Sequence, residues 1–265
     1  MKVAIYANDR EVSEQVKQQL IEKLSERNIQ IDQDHPDIVL TIGGDGTVLH
    51  AVHYYMNQIE RIKFIGIHTG HLGYYTDWLP SELDELVDFL QEDHQSVCQY
   101  PLLSIVLCEC ERTNHEVCHQ LYAFNEMTLL NASRTQHLNV TIDDLLFESF
   151  RGTGVCLSTP TGSTAYNKSL GGALVYPTLR AFQMTEIASI NNNVFRTIGS
   201  PLIIPEEQTV TLQSENFQDV TITRDHLYES YKNIQKIRVT LSSRSVTFLK
   251  RREGLFWNRV KQHFL

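Results

Sequence analysis

The chain of 265 residues has no apolar run long enough to cross a bilayer, and Met1-Lys2-Val3-Ala4-Ile5 has no charged-then-apolar leader pattern. These absences argue against a helical membrane protein and predict a cytoplasmic one. Basic charge is short as well. Against 32 acidic residues stand 23 lysines and arginines, a formal net charge of −9, which argues against a nucleic-acid or anionic-membrane surface. A polyphosphate ligand would then rely on local backbone amides, a few cations and a metal. Cysteines are few and odd in number, at positions 98, 108, 110, 118 and 156. Cys108 and Cys110 would share one strand face, with His115, Cys118 and His119 close in sequence. That spacing fits no common zinc pattern, so all five read as free thiols. There is no Walker phosphate loop, and Gly66, Gly70 and Gly73 do not have the Rossmann spacing.

What is present is ordinary globular composition, 42% apolar and 21% charged, with enough length for two modest cores. The first third alternates strand and helix. Val3 to Ala7 is a strand, and Val12, Val16, Leu20, Ile21 and Leu24 fall on one helix face. Ile38 to Ile42 is a buried strand, 47–56 a helix, and Phe64 to Ile67 a third strand. Ser81 and Asp84 resemble a capping box that opens a helix with Leu83, Leu86, Val87 and Leu90 inward. This order predicts a parallel sheet flanked by helices, with ligands at the carboxyl ends of the strands.

The pattern changes near Tyr100-Pro101. Short strands are expected at 102–110, 119–130, 138–150, 153–159, 209–214, 219–224 and 236–241, with helical pieces near 163–170 and 179–190. The fold expected is therefore an α/β domain over 1–99 followed by a mainly antiparallel, sandwich-like β domain over 100–249. Residues 250–265 would complete the first domain. The basic stretch Lys250-Arg251-Arg252, with Phe256 and Trp257, suits three roles equally: a cover for the first domain, a subunit contact or a solvated end.

Three constellations carry chemistry. Gly43-Gly44-Asp45-Gly46-Thr47 leaves a buried strand and opens a helix, where unpaired N–H groups favour phosphate. Asp45 is the one carboxylate in that turn, so it binds a metal, accepts a hydroxyl or simply caps a tight turn. Asn125-Glu126 puts an amide beside a carboxylate. Both can reach one ligand, an adenine edge or ribose hydroxyls, only at a bend or strand end. A polar strand end is the plain alternative. The stretch from Ser158 to Gly172, rich in hydroxyls and carrying Tyr166, Asn167 and Lys168, has the composition of a ligand cradle opening a helix.

In order and spacing, Gly43-Gly44-Asp45-Gly46-Thr47, Asn125-Glu126 and Thr159-Pro160-Thr161-Gly162-Ser163-Thr164-Ala165-Tyr166 resemble the bacterial NAD kinase family. The resemblance covers essentially the whole chain, including Ile67-His68-Thr69-Gly70-His71-Leu72-Gly73 and Ile198-Gly199-Ser200-Pro201-Leu202. The Gly-Gly-Asp-Gly turn alone is shared with lipid and sugar kinases, whereas Thr-Ala-Tyr-Asn-Lys-Ser is far more specific.

The resemblance implies phosphorylation of the adenosine ribose 2′-hydroxyl of NAD to give NADP, with ATP or polyphosphate as donor. Magnesium would bridge the donor phosphates, held mainly by them and not by a protein cage. Asp45 would be the catalytic base or aligning carboxylate, and Gly43, Gly44, Gly46 and Thr47 would bind phosphate. The NAD-binding set it implies is Asp45, Gly46, His50, Asn125, Glu126, Arg151, Thr153, Ser158, Thr161, Thr164, Ala165, Tyr166, Ser169, Ala188, Asp225 and His226. It further implies a homodimer or homotetramer, with the NAD site completed by a neighbouring subunit. One position departs from the family pattern. Most bacterial members have aspartate where this chain has Thr153 in Arg151-Gly152-Thr153-Gly154, which removes a charge from the nicotinamide side.

Overall fold

A computed structural model of the chain describes residues 1–70, 73–92, 96–110, 116–229, 231, 233–251 and 254–265. His71, Leu72, His115 and Arg252 lie outside the described residues, as does the side chain of Cys110. In chain order the elements are β1 (Lys2–Ala7), α1 (Glu11–Glu26), β2 (Gln30–Ile31), β3 (Ile38–Gly43), α2 (Asp45–Tyr54), β4 (Lys63–His68), β5 (Thr76–Trp78) and α3 (Leu83–Leu90). There follow β6 (Ser96–Cys110), β7 (Glu116–Ala123), β8 (Glu126–Leu130), β9 (Gln136–Ile142), β10 (Leu145–Gly152), β11 (Gly154–Ser158) and α4 (Tyr166–Ser169). The last are β12 (Ala181–Ile187), β13 (Leu202–Pro205), β14 (Val210–Gln213), β15 (Thr221–Arg224), β16 (Leu227–Glu229), β17 (Ile234–Lys250) and α5 (Phe256–Phe264).

Two compact units result, Met1–Tyr100 with Arg244–Leu265, and Pro101–Ser243. In the first, β2, β1, β3 and β4 form a parallel sheet, and β5 and the end of β17 also pair parallel to β4. Strand β3, branched and apolar apart from Thr41 and Gly43, is buried at all six positions, as a strand covered on both faces requires. Val16, Leu20 and Leu24 of α1 and Leu83, Leu86 and Leu90 of α3 close one core with it. Two local expectations shift. Helix α2 starts at Asp45 instead of Thr47, so Asp45 belongs to its first turn. The stop before α3 is set by Glu82, whose carboxylate accepts the Leu79 N–H at 2.9 Å, in place of Ser81 with Asp84.

The second unit packs two antiparallel layers around one core. One layer has the order β13-β12-β11-β8-β15-β16. The other is built from β10, β9, β14 and β17, with β6 pairing β17 and β7. Leu103, Met127, Phe150, Leu157, Phe182 and Val239, from six different strands, meet in the core. The expected strand 138–150 is a hairpin of β9 and β10, and 119–130 is broken at residues 124–125.

The helix expected near 179–190 is instead β12. Phe182 and Met184 point into the core, while Gln183 bonds both backbone groups of Ala173 and Thr185 bonds Asn167, a period of two. The reading of five free thiols is also corrected. Cys108 and Cys118 stand directly opposite in the β6–β7 register, Cα atoms 4.1 Å apart, and form a disulfide; Cys98 and Cys156 are free.

Among the described residues no helix is long and apolar enough to cross a membrane. The stretch around Lys250 lies on the first unit: Arg251 pairs with Glu82 and Glu85 and stacks over Trp78, and Phe256 is buried, although Trp257 stays exposed.

Candidate active site

In the first unit the buried strand β3 ends at Gly43, Gly44 is the N-cap of α2, and Asp45 follows on the helix. Side chains at Gly44 and Gly46 would meet nothing within 4 Å, so open space lies above the turn; the Thr47 N–H already donates to Gly44 O at 2.9 Å, and the amides before it precede the helical ladder. Thr47 is buried and accepts a bond from Asn8 Nδ2 at 3.3 Å, which ties the turn to the end of β1. His50 is exposed one turn further on.

The Asp45 carboxylate is fixed from the other side. Its Oδ2 accepts the Tyr74 N–H at 2.7 Å and its Oδ1 the Tyr75 N–H at 3.0 Å. Gly73 makes this approach possible, because a Cβ there would overlap the carboxylate. An ionised carboxylate has about four lone-pair sites, so acceptor capacity remains for a hydroxyl. Tyr74 and Tyr75 were not singled out from sequence; the signal available was the glycine just before them.

In the second unit the break between β7 and β8 supplies the bend that Asn125 and Glu126 need. Asp225, in the two-residue turn between β15 and β16, adopts a left-handed conformation (φ 52°), which aspartate tolerates better than most residues. Its carboxylate accepts three consecutive backbone N–H groups, from Phe124 at 2.8 Å, Asn125 at 2.6 Å and Glu126 at 3.1 Å. The carbonyls of the same bend are taken by hydroxyls. Thr159 Oγ1 donates to Phe124 O at 2.6 Å, and Ser158 and Thr161 bond the same segment. Gly162 packs directly on the Asn125 carbonyl, where a Cβ would collide with backbone. Asp225, Ser158 and Thr161 therefore grip the backbone that carries Asn125 and Glu126, and Thr159, part of the motif but not of the expected NAD-binding set, joins them.

Glu126 is the electrostatic oddity of this cluster. Only 8% of it is exposed, and its Oε2 is buried without a hydrogen-bond partner. Burial, and next the negative charge of Asp225, push its carboxyl up to about 8. A buried acceptor left this way is costly unless a donor arrives.

The remaining residues fall into two groups. Thr164, Ala165, Tyr166 and Ser169 occupy a short 3-10 turn and α4 after Ser158; Tyr166 and Ser169 are exposed, and Thr164 bonds the Thr161 carbonyl at 3.1 Å. Arg151, Thr153 and Ala188 meet at the opposite end of β11. The Thr153 N–H donates to Ile187 O at 3.0 Å, and Arg151 lies over the Phe195 ring at 3.7 Å. Ala188 has φ 46° and is exposed. Glu126 pairs with Ser158 and Ile187 with Gly154, so the length of β11, roughly 13 Å, separates the two clusters. His226 is exposed beside Asp225.

Residues 3–95 match the family model of the ATP-NAD kinase N-terminal domain, and residues 124–251 that of the ATP-NAD kinase C-terminal domain. An NAD kinase of Lactobacillus gasseri is 44% identical over 265 residues, covering 100% of this chain and 98% of that protein. NAD kinase 1 of Bacillus subtilis is 40% identical over 265 residues, with 100% and 98% covered. Yeast NADH kinase complexed with NADH superposes with a TM-score of 0.84 at 21% identity, over 100% of this chain and 87% of that one. An NAD kinase from Archaeoglobus fulgidus in complex with ATP superposes at 0.76 and 21%, over 99% and 98%. At that identity the two structures establish the shared fold.

Proposed function

The chain belongs to the ATP-NAD kinase family, and from that premise we propose how its residues divide the phosphorylation of NAD by ATP. Asp45 works on the acceptor. The 2′-hydroxyl of the adenosine ribose is a poor nucleophile, and a carboxylate held by two backbone amides is placed to align it and take its proton. The new bond joins O2′ to the γ-phosphorus, the bond from that phosphorus to the bridging oxygen breaks, and ADP leaves with the electron pair. Amides at Gly43, Gly44 and Gly46 receive the donor phosphates, ATP or polyphosphate, while Thr47, whose N–H is given to Gly44 O at 2.9 Å, closes the turn.

Asn125 and Glu126 hold the adenosine. The observation that carries this half is Glu126 Oε2, buried and without a partner, because vicinal ribose hydroxyls are the donors it lacks. Thr164, Ala165, Tyr166 and Ser169 extend the NAD surface from the adjoining turn, and the buried Thr161 serves it indirectly, through the Phe124 carbonyl it bonds. The exposed Ala188, with Arg151 and Thr153 beside it, faces the nicotinamide side of a ligand bound by a second copy, which fits a homodimer or homotetramer.

A divalent cation fits this turn only as a phosphate-borne ion. Asp45 is its single carboxylate, too few oxygens for an all-protein cage, so magnesium would be held by donor phosphates with Asp45 beside them. When bound it offsets repulsion between the phosphates and Asp45 and neutralises charge that develops on transfer.

Calorimetry on Glu126→Ala tests the binding half. NAD affinity should fall by about 1–3 kcal/mol. Unchanged affinity would remove Glu126 from the site.

A further inference from the structure

The two amides on the Asp45 carboxylate belong to a segment with no regular structure of its own, residues 73–75 between β4 and β5. Something else must fix their direction. The contacts lead to Arg259 of α5, 185 residues beyond Tyr74 along the chain and in the same compact unit.

Arg259 of α5 is only 5% exposed although it sits on a short, mostly exposed helix. Its guanidinium donates to the carbonyl oxygen of Tyr74, to that of Thr76 at 3.0 Å and to the carboxylate of Asp77. Asp77 is in turn paired with the buried Lys250, 3.3 Å away. The Tyr74 carbonyl and the Tyr75 N–H are two ends of one planar peptide group. Arg259 therefore holds the oxygen of the same peptide whose hydrogen points at Asp45 Oδ1. A cation at the carbonyl end also polarises the N–H and strengthens the bond it donates.

The Tyr74 ring is clamped by the same helix. Its centroid lies 4.9 Å from that of His263 and 6.1 Å from that of Phe256, with Phe264 at 6.4 Å. The Tyr74 hydroxyl is buried without a hydrogen-bond partner, so the ring acts here as a packing body. One residue thus has its N–H on Asp45, its carbonyl on Arg259 and its ring under α5.

From this geometry we infer that Arg259 is a positioning residue for Asp45, and that α5 acts through the Tyr74–Tyr75 peptide to set the direction of the catalytic carboxylate. The inference rests on the reading of Asp45 as the group that works on the acceptor hydroxyl. A helix that merely anchored the chain would make the same burial but would leave turnover per folded molecule unchanged.

The test uses the full chain as wild type, Arg259→Ala, Arg259→Lys, Asp45→Asn and the Asp45→Asn/Arg259→Ala double variant. Steady-state NADP formation gives kcat and KM for NAD, calorimetry gives NAD affinity, and thermal melts give the folded fraction. Misplacement of a reacting group by about 1 Å costs up to roughly a hundredfold, so Arg259→Ala should lower kcat by about tenfold or more. KM and affinity for NAD should stay within about threefold, since the adenosine contacts are elsewhere. In the Asp45→Asn background the same change should alter the residual rate less than about twofold, because its target is already gone. Arg259→Lys keeps a charge for Asp77 but cannot span both carbonyls, so it should fall between the two. If Arg259→Ala does not fold, Arg259→Lys decides alone. A folded Arg259 variant with wild-type kcat, or a full further loss in the Asp45→Asn background, overturns the inference. An Asp45→Asn enzyme with wild-type turnover overturns instead the reading of Asp45 on which it rests.

Discussion

NAD affinity should depend on pH through Glu126. Burial first, and the Asp225 charge second, push its carboxyl up to about 8, so at about pH 7 roughly nine molecules in ten carry it protonated. Ribose hydroxyls donate to the ionised form, and stripping the proton at about pH 7 therefore costs roughly 1.4 kcal/mol, near tenfold in Kd. NAD binding should tighten about tenfold from about pH 7 to about pH 9, then level off, with close to one proton released per NAD bound at the lower pH.

Stability moves the other way. The folded protein holds this proton more tightly than the unfolded chain, whose glutamate has its ordinary value of 4.5. The contribution of Glu126 is therefore fully present below about pH 4.5 and is lost as pH rises through about 8. Glu126→Gln, which cannot ionise, should melt close to wild type at about pH 4 and increasingly above it by about pH 9. Calorimetry in two buffers of different ionisation enthalpy, with thermal melts across the range, reads both effects. Equal NAD affinity at the two pH values with no proton release, or the same pH profile in Glu126→Gln, would refute the reasoning.

Three further outcomes follow from named contacts. Asp225→Ala leaves three backbone N–H groups without their acceptor and should cost about 2–4 kcal/mol in urea melts, with weaker NAD binding; unchanged stability contradicts the bracing role. Thr153→Asp should change affinity for NAD by about 1 kcal/mol or more, and much less for a ligand that ends at adenosine, leaving the chemical step alone. Equal effects on both ligands would mean that Thr153 acts through fold or subunit contact. Cys108 and Cys118 close a loop at a sequence separation of 10, so reduction should lower stability by about 2–3 kcal/mol in melts with and without dithiothreitol. A Cys108→Ala protein should not respond to the reductant, and an unchanged wild-type melt would contradict the estimate.

The glycine-rich turn at Asp45 was legible because its signals are local. The run from Ile38 to Ile42 has no polar interruption beyond Thr41, and the glycines after it mark where the backbone must turn. β12 was misread for a local reason too. Phe182 and Met184 share one strand face while Ile187 falls on the other, too short and mixed a pattern to fix the element, and the partners that make Gln183 and Thr185 strand residues come from Ala173 and Asn167. The Cys108–Cys118 bond depends on the β6–β7 register, which spacing alone does not give. Asp225 meets Asn125 across 100 positions, and Arg259 meets Tyr74 across 185, so no window along the chain contains either pair. The motifs name the groups proposed to react; the contacts that hold those groups are long-range.

The most direct test of the account is Asp45→Asn, measured in parallel for turnover and for NAD binding. The amide keeps the shape and can still accept one of the two backbone N–H bonds, but it cannot take the hydroxyl proton. NADP formation from ATP, magnesium and NAD should fall by roughly 10²–10⁴-fold while the NAD dissociation constant stays within about threefold. A variant that keeps more than about a tenth of wild-type turnover would contradict the assignment of Asp45 as the group that accepts the proton.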